Sequence, residues 1–488
     1  MNPEATDRIE PWVWRIAVIV ILGSIMSILD TTIVNVALSR LGRELHTSIA
    51  NIQWVITGYL LSLAAVIPIS GWAGRRFGAK RIYLTSLVLF TLGSVLCGIA
   101  TSATQLILFR VLQGVGGGLI LPVGQLIMAT AAGPRRMGRV MGVVAVPAML
   151  APIFGPALGG LILDNTSWRW IFFVNVPIGI VAFIAGFRGL PRSERQEAGR
   201  LDWRGLVLVV TGMPLITYGL AEIGTTGGFS SPKVLAPILG GLALVGLFIA
   251  HARRAKRPLL DVHLYASRTF AAASITTFCL GAALFGAMIL MPLYYQQVRG
   301  ESVLATGLLV GPQGVGAALA MPISGRLTDR IGGGPLALFG VILTTLTTIP
   351  FGLIGAHTSI GSLSLWMVLR GIGIGFAFMP AMAAAFAALK PSQLSDATPQ
   401  MNVLQRLGGS IGTAVLAVVL QRALISAHHP LTQAGAAGAY STAFWWSLGI
   451  TALAIVPSIV LLRAERQARS AGEPAVLAEP PVPELIGA

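Results

Sequence analysis

The stretch Leu29-Asp-Thr-Thr-Ile-Val-Asn-Val-Ala-Leu38 places one carboxylate, Asp30, inside an apolar run that extends from about Trp12 to Leu38. A charged side chain at the depth of a membrane core costs roughly 2.5 kcal/mol or more, so such a residue indicates a function. The chain has 18 acidic residues, and Asp30 is the only one placed well inside an apolar segment by the spans predicted below. We therefore expect Asp30 to have a functional role.

The composition is that of a membrane protein. Of 488 residues, 55% are hydrophobic and 11% are charged, and the mean hydropathy is +0.79. Soluble chains average about 25% charged residues. The 58 glycines suit closely packed membrane helices, because small residues let helix backbones approach each other. We predict an all-α polytopic membrane protein.

A membrane-spanning helix needs about 20 mostly apolar residues, and the sequence contains fourteen such segments. Their approximate limits are 12–38, 51–73, 82–101, 104–131, 138–163, 169–188, 203–222, 233–251, 269–295, 303–325, 335–355, 361–388, 401–421 and 442–463.

The net charge of +16 follows the topology of these spans and does not indicate a nucleic-acid partner. With the N-terminus in the cytoplasm, 25 of the 34 Lys and Arg residues fall on the cytoplasmic side, 6 fall outside and 3 lie within spans. Cytoplasmic segments of membrane proteins carry such an excess. We expect a multi-pass protein of the inner (plasma) membrane with both termini in the cytoplasm.

An internal repeat divides the chain. The segment Gly71-Trp-Ala-Gly-Arg-Arg-Phe-Gly78 closes the second span, and Gly325-Arg-Leu-Thr-Asp-Arg-Ile-Gly332 closes the tenth, 254 residues later. A weaker echo pairs Arg110 with Arg370, since closely spaced glycines follow both. Repeated halves are typical of secondary transporters, with the substrate path between them. The predicted units are a six-helix half (1–190), two inserted helices with cytoplasmic linkers (191–268), a second six-helix half (269–465) and a disordered cytoplasmic tail (466–488).

The repeated loops are candidates for gating. Their glycines permit tight turns, and their charges can hold helix ends. Simple positive-inside charge is the alternative interpretation, and the recurrence in the second half favours gating. The candidate residues are Gly71, Arg75, Arg76, Gly78, Gly325, Asp329 and Arg330.

Arg110 lies in span 4 at a depth similar to that of Asp30 in span 1. From the outer ends of their spans the depths are roughly 8 Å and 12 Å, at 1.5 Å per residue. If the two spans touch, the two side chains can pair. The alternative is that Arg110 extends to the outer membrane surface.

Span 5 combines prolines with a small-residue face. Pro152 and Pro156 each remove a backbone donor and kink a helix. Gly155, Gly159 and Gly160 allow close packing. The pattern predicts a helix that bends or slides against a partner, and a passive packing kink is the alternative.

With these motifs the chain resembles the fourteen-spanner drug:proton antiporters of the major facilitator superfamily, the EmrB/QacA type. The resemblance extends to about residue 465 and rests on five motifs: 29–38, 71–81, 110–118, the span-5 segment ending at 155–160, and 168–179. It implies that Asp30 is the proton-coupling carboxylate, that Arg110 is its partner, and that span 5 marks export. The family's first loop usually has an acid where this chain has Arg75, whereas the second loop keeps Asp329. Gating is then expected to depend more on the second half, or to work differently.

The mechanism that we expect is alternating access. Burial disfavours a charged carboxylate and a nearby cation favours it, so Asp30 can gain and lose a proton as the cavity changes sides. No cofactor is expected beyond the coupling protons. The partners expected are small hydrophobic or cationic substrates and the lipid bilayer, for a monomer acting alone or with an accessory export partner. Candidate cavity residues, for which ordinary helix packing is the alternative, are Asn35, Trp54, Tyr59, Gln113, Gln125, Phe285, Met288, Tyr294 and Gln313.

Other functions stay open at this point. One is a dedicated exporter of a lipid, an amino acid or a secondary metabolite. Another is a non-transporting scaffold or sensor that uses spans 7 and 8 for docking. No nucleotide-binding loop, nucleophile elbow or metal-binding motif appears, so we do not expect an enzyme.

Overall fold

The computed structural model describes residues 9–133, 136–191, 199–226, 231–427 and 432–470, and it contains no strand within these ranges. The side chains of a few helical residues, Pro152 and Pro156 among them, lie outside the described set. The predicted cytoplasmic tail, 466–488, falls largely outside it as well. The prediction of an all-α membrane protein is confirmed.

The described part of the first half contains ten α-helices. They are α1 (Pro11–Glu44), α2 (Ile49–Ile52), α3 (Trp54–Val66), α4 (Ser70–Phe77), α5 (Ala79–Ile99), α6 (Ala103–Ala132), α7 (Met137–Val144), α8 (Val146–Asn165), α9 (Trp170–Phe173) and α10 (Asn175–Gly189). A 3-10 turn at Ile67–Ile69 joins α3 to α4, so the two together make one span.

Within the described ranges, two α-helices in the middle of the chain are followed by eight in the second half. The middle pair is α11 (Trp203–Thr226) and α12 (Pro232–Ala252). The second half contains α13 (Arg268–Met288), α14 (Leu290–Gln297), α15 (Val303–Ile331), α16 (Gly333–Gly352), α17 (Ile360–Ala387), α18 (Leu394–Ser426), α19 (Gln433–Leu453) and α20 (Ile455–Ser470).

Thirteen helices of the described part are long and apolar enough to cross a membrane. The sequence predicts fourteen. The remaining predicted span, 138–163, corresponds to α7 and α8, where the side chains of several residues lie outside the described set. The helix bounds otherwise follow the apolar segments, because a backbone inside a membrane must bond within its own helix.

Helix ends are set by local chemistry that recurs in both halves. The side chain of Ser102 accepts a hydrogen bond from the backbone of Gln105 at the start of α6, and that of Ser302 accepts one from the backbone of Ala305 at the start of α15. The turns after α4 and α15 are made by Gly78 and Gly332, whose φ angles are +90° and +97°. Such angles suit glycine, which has no Cβ. The two repeated loops therefore have the same turn.

The halves pack against each other through α7 and α8 on α15, and through α4 and α6 on α18. The middle pair packs as a hairpin against both halves. Its α11 contacts α3, where the Trp54 and Tyr218 rings stack 6.1 Å apart, and also α18. The domain limits drawn from the sequence stay a prediction.

Candidate functional site

Asp30 lies at the point where α1, α5, α6 and α10 converge, and its side chain is fully buried. The Nη1 atom of Arg110, on α6, donates a hydrogen bond to Asp30 Oδ2 over 2.5 Å, and Arg110 is also fully buried. The two spans therefore touch, and the pair expected from their similar depths is present. The alternative, that Arg110 extends to the membrane surface, is wrong for this structure.

Two amide side chains complete the surroundings of the carboxylate. Gln113 Nε2 and Asn175 Nδ2 each donate to Asp30 Oδ1 over 3.0 Å. Both amides also donate to the hydroxyl oxygen of Ser94, over 3.2 Å and 3.0 Å. Among the described residues, all three hydrogen bonds to Asp30 come from donors, and an ionised carboxylate only accepts hydrogen bonds. This arrangement suits the charged form of Asp30.

Arg110 is fixed from several directions. Its Nε donates to the Val55 carbonyl over 3.1 Å, and its Nη1 donates to Gln113 Oε1 over 2.8 Å. The guanidinium carbon lies 4.1 Å from the centre of the Tyr59 ring, a cation–π contact. The Tyr59 hydroxyl in turn lies 3.3 Å from Ser27 Oγ. These contacts offset part of the cost of burying the ion pair, while the Nη2 atom of Arg110 makes no hydrogen bond to the described residues.

The sequence did not single out Asn175, Ser94 and Ser27. Asn175 stands inside the segment 168–179 that marks the family, and it is a lone amide in an apolar span. That signal could have found it, because an amide at membrane depth also needs a partner. Ser94 and Ser27 carry no comparable signal, since serine is common in membrane helices.

Glycines bring the helices of this site close together. Gly93 of α5 lies against the backbone of Gln113, and Gly114 of α6 lies against the carbonyl oxygen of Tyr59. A Cβ at either position would collide with these atoms. The polar side chains can therefore meet at hydrogen-bonding distance across three helices.

The second half repeats this packing with a different register from the one expected. Gly371 lies against the carbonyl of Gln313, and Gly114 lies against that of Tyr59. Tyr59 and Gln313 are 254 residues apart, the same separation as between the two repeated loops. Arg370, directly before Gly371, therefore takes the place of Gln113 and not that of Arg110. The pairing of Arg110 with Arg370 is corrected accordingly. The place of Arg110 is held by Met367.

The repeated loops join the halves through two ion pairs. Arg75 Nη1 lies 2.7 Å from Asp396 Oδ1 and also donates to Ser395 Oγ over 2.7 Å. Asp329 accepts from the backbone nitrogens of Gly138 and Arg139, over 2.9 Å and 3.2 Å. The Nε atom of Arg139 lies 3.7 Å from Asp329 Oδ2. Arg75 thus has an acidic partner in the other half.

The other predicted loop residues have different surroundings. Gly71 packs against the carbonyl of Ser395, and Gly325 packs against that of Gly138, so both lie where the halves meet. Arg76 and Arg330 are exposed. A gating role for each of these residues stays a prediction.

The small-residue face of α8 packs on α1 beside Asp30. Gly155 lies against the side chain of Thr32, and Gly159 lies against Ile33. A Cβ at Gly160 would meet no atom of another helix within 4 Å. The predicted contributions of the Pro152 and Pro156 side chains lie outside the described set.

The predicted cavity residues are not gathered at one place. Asn35, Trp54 and Phe285 are exposed, and Met288 is half-buried. Gln125 accepts a hydrogen bond from Asn402 Nδ2 across the two halves, over 2.7 Å. Tyr294 is buried, and its hydroxyl donates to the Gly355 carbonyl over 2.6 Å. Substrate contact stays a prediction for all of these residues.

Comparison with known proteins agrees with this architecture. The model of the Major Facilitator Superfamily matches residues 20–413. A Mycobacterium tuberculosis protein named "Multidrug resistance protein B homolog" is 39% identical over 417 residues, which are 85% of this chain and 77% of that protein. "Multidrug export protein EmrB" of Escherichia coli K12 is 30% identical over 424 residues, with coverage of 84% and 81%.

Two solved structures share the fold. The human organic anion transporter MFSD10 (TETRAN) has a TM-score of 0.63 and 16% identity, and the match covers 93% of this chain and all of that one. The proton:xylose symporter XylE has a TM-score of 0.65 and 13% identity, with coverage of 92% and 95%. With its helical fold and repeated halves, this chain is a multi-pass membrane protein that belongs to the Major Facilitator Superfamily.

Proposed function

We propose that this protein exports small hydrophobic or cationic compounds from the cytoplasm in exchange for protons. Relatives named for multidrug resistance and multidrug export at 30–39% identity support this substrate class. The charge distribution supports an inner-membrane orientation with both termini in the cytoplasm. The coupling ion is the proton, and the protein acts as a monomer, alone or with an accessory partner.

The observation that carries the proposal is that the carboxylate of Asp30 is fully buried among hydrogen-bond donors. A proton on either oxygen of Asp30 would face donors only, from Arg110, Gln113 and Asn175. Protonation therefore breaks the network and frees Arg110. Because the network joins α1 to α5, α6 and α10, a proton on Asp30 changes how these four helices hold together.

The contacts between the halves give this step a direction. Both ion pairs, Arg75 with Asp396 and Asp329 with Arg139, lie at the end of the bundle that carries the repeated loops. In the proposed orientation that end is cytoplasmic, so the arrangement is closed toward the cytoplasm. Asp30 then takes its proton from outside, and releases it when the halves rock and a cytosolic substrate binds.

Transport by the purified protein in proteoliposomes tests the proposal. An imposed proton gradient should drive uphill accumulation of a lipophilic cation such as ethidium, and a protonophore should stop it. Accumulation that is equal with and without the proton gradient would contradict proton coupling. A screen of compounds in cells without other pumps separates broad efflux from a dedicated exporter, which would give a narrow set of substrates.

A further inference from the structure

Two aromatic rings stack where the first half meets the inserted hairpin. Trp54 is the first residue of α3 and Tyr218 lies on α11; their ring centres are 6.1 Å apart and their planes are inclined by 24°. The carboxylate of Glu222, one turn further along α11, accepts a hydrogen bond from the Tyr218 hydroxyl. Trp54 is 41% exposed, and Tyr218 and Glu222 are half-buried. These three side chains, called the outer group below, can therefore be reached by a ligand.

The outer group lies at the end of the bundle opposite the repeated loops. Trp54 begins the span that ends at Phe77 in the first of these loops, so Trp54 stands at the other end of that span. Glu222 is four residues before the end of α11 at Thr226, which is about 6 Å along a helix axis. In the proposed orientation this end faces the outside of the cell. A charged side chain costs less there than at the membrane centre.

The inserted hairpin lies along the boundary between the two halves. Toward the cytoplasm α4 packs on α18 directly, whereas α11 contacts both α3 and α18. Ile216 and Leu220 of α11 pack in an apolar cluster with Val418 of α18. At 3.6 residues per turn, Tyr218 and Glu222 point away from that apolar cluster. The outer group is therefore on the side of α11 that meets the first half, beside the boundary between the halves.

The chemistry of the outer group suits an organic cation. The face of an aromatic ring attracts a cation, most strongly for tryptophan, and this contact is a general means of recognising quaternary ammonium groups. A carboxylate beside the rings adds an opposite charge. The alternative is an aromatic pair that only anchors the helices at the membrane surface. An anchor of that kind needs no charge, so the carboxylate hydrogen-bonded to one of the rings favours a cation site.

We propose that Trp54, Tyr218 and Glu222 bind an organic cation at the outer end of the boundary between the halves. A quaternary or delocalised cation lies against the two rings, and its charge pairs with the carboxylate. This inference rests on the proposed function and deepens it, because the site takes the cationic compounds that the protein exports. The inserted hairpin supplies two of the three side chains, which gives the hairpin a part in binding.

Equilibrium binding of labelled tetraphenylphosphonium tests the site. The full chain is purified in nanodiscs of phosphatidylethanolamine and phosphatidylglycerol, and empty nanodiscs give the background. Benzyltrimethylammonium should displace the probe, whereas neopentylbenzene, which has the same shape without the charge, should not. Equal displacement by both compounds would overturn the proposal. Displacement by glycerophosphocholine at the concentration that suffices for benzyltrimethylammonium would overturn it too, because the site would then bind a lipid headgroup.

No proton gradient is applied in this measurement. A negative result therefore removes the outer group as a cation site and leaves proton-driven export to its own test, and failure of proton coupling leaves a positive binding result standing.

Variants assign the binding to the outer group. Glu222→Gln should raise the Kd for tetraphenylphosphonium at least about threefold, and Glu222→Asp, which keeps the charge, should restore most of the affinity. Trp54→Leu should also raise the Kd at least about threefold, and Tyr218→Leu takes its place if that variant does not fold. Glu301→Gln and Trp446→Leu, in the second half, are the matched controls and should leave the Kd unchanged. An unchanged Kd in Glu222→Gln or in the ring variant, or an equal rise in the controls, contradicts the proposal.

Discussion

The guanidinium of Arg75 and the carboxylate of Asp396 lie 2.7 Å apart across the two halves, and Asp329 and Arg139 make the corresponding contact with the charges exchanged. Arg75 holds the position in the first loop that Asp329 holds in the second. A cation beside the start of α18 would be unfavourable alone, because helix N-termini carry partial positive charge. Asp396 in the first turn of α18 removes that conflict. The unusual Arg75 therefore has a compensating partner.

Exchanging the charges of this pair should restore function that single changes remove. Arg75→Asp alone places two carboxylates together, and Asp396→Arg alone places two cations together, so either should slow efflux several-fold. The double variant should recover at least about half of the wild-type rate. The corresponding coupling energy between positions 75 and 396 is about 0.5–3 kcal/mol. The measurement is the initial rate of ethidium efflux from cells.

Arg81→Asp is the control for this exchange, because Arg81 is exposed in the same loop and is not one of the gating candidates. It should leave the rate nearly unchanged. A double variant no faster than the slower single variant would show that the contact between Arg75 and Asp396 does not hold the halves together.

Replacement of Asn175 by leucine should impair proton-driven transport while the protein still folds. The change removes one donor from Asp30 Oδ1 and one from Ser94, and a lost hydrogen bond to a charged group costs about 1.5–3 kcal/mol. We expect gradient-driven transport in proteoliposomes to fall about tenfold or more. Asn165→Leu, at the exposed end of α8, is the matched control. Equal rates for both variants would remove Asn175 from the site.

The face of α8 that touches α1 should not accept a methyl group. A Cβ at Gly155 would collide with Thr32, two residues after Asp30, whereas Gly160 on the same helix has open space. Overpacking costs about 1–3 kcal/mol. Gly155→Ala should therefore lower Tm and slow transport, and Gly160→Ala should change neither. If both variants behave like wild type, close contact between α1 and α8 is not required.

Asp202 holds the base of the inserted hairpin. It accepts from the Gly205 and Leu259 backbones over 2.9 Å and 3.2 Å, and lies 2.8 Å from His251 Nε2. Partial burial of Asp202 opposes its ionisation, but these contacts outweigh burial and hold its pKa below the ordinary value. Its contribution to stability is therefore complete above the ordinary value, near 3.9, and is lost as pH falls through the lower folded value.

Asp202→Asn should lower Tm at neutral pH, and the difference from wild type should shrink as pH falls below about 4. The measurement is thermal unfolding from pH 7 down to the lowest pH at which the protein stays folded, with Tm determined to about ±0.5 °C. Asp261→Asn serves as the comparison, because Asp261 contacts mainly the exposed His263. A difference that grows toward low pH would contradict the role of the ionised carboxylate.

Some features of the site follow from sequence alone because they depend on depth. The position of Asp30 in its span and the similar depth of Arg110 showed that the two side chains could pair, and the family resemblance implied that they do. Membership of the superfamily followed from motifs whose order along the chain is visible. Depth does not give the rotation of a helix about its axis, so Asn175 and Ser94 could not be assigned to Asp30.

Contacts between distant segments also could not be predicted from the sequence. Arg75 and Asp396 are far apart in the chain, and only the packing of α4 on α18 brings them together. The sequence pairs Arg370 with Arg110 because glycines follow both arginines. In the structure, corresponding glycines are those that touch corresponding carbonyls, and by that criterion Arg370 does not correspond to Arg110. The hydrogen bond from the Tyr294 hydroxyl to the Gly355 carbonyl is another contact between distant segments, and a role of Tyr294 in the cavity stays a prediction.

The central claim is that Asp30 couples substrate movement to protons, and one comparison tests it most directly. Wild type and Asp30→Asn are reconstituted in proteoliposomes, and each is assayed for uphill accumulation driven by a proton gradient and for exchange of labelled substrate without a gradient. Asparagine keeps the size of the side chain but cannot gain or lose a proton. We expect Asp30→Asn to lose uphill accumulation and to keep exchange. Uphill accumulation by Asp30→Asn at the wild-type level would contradict the account.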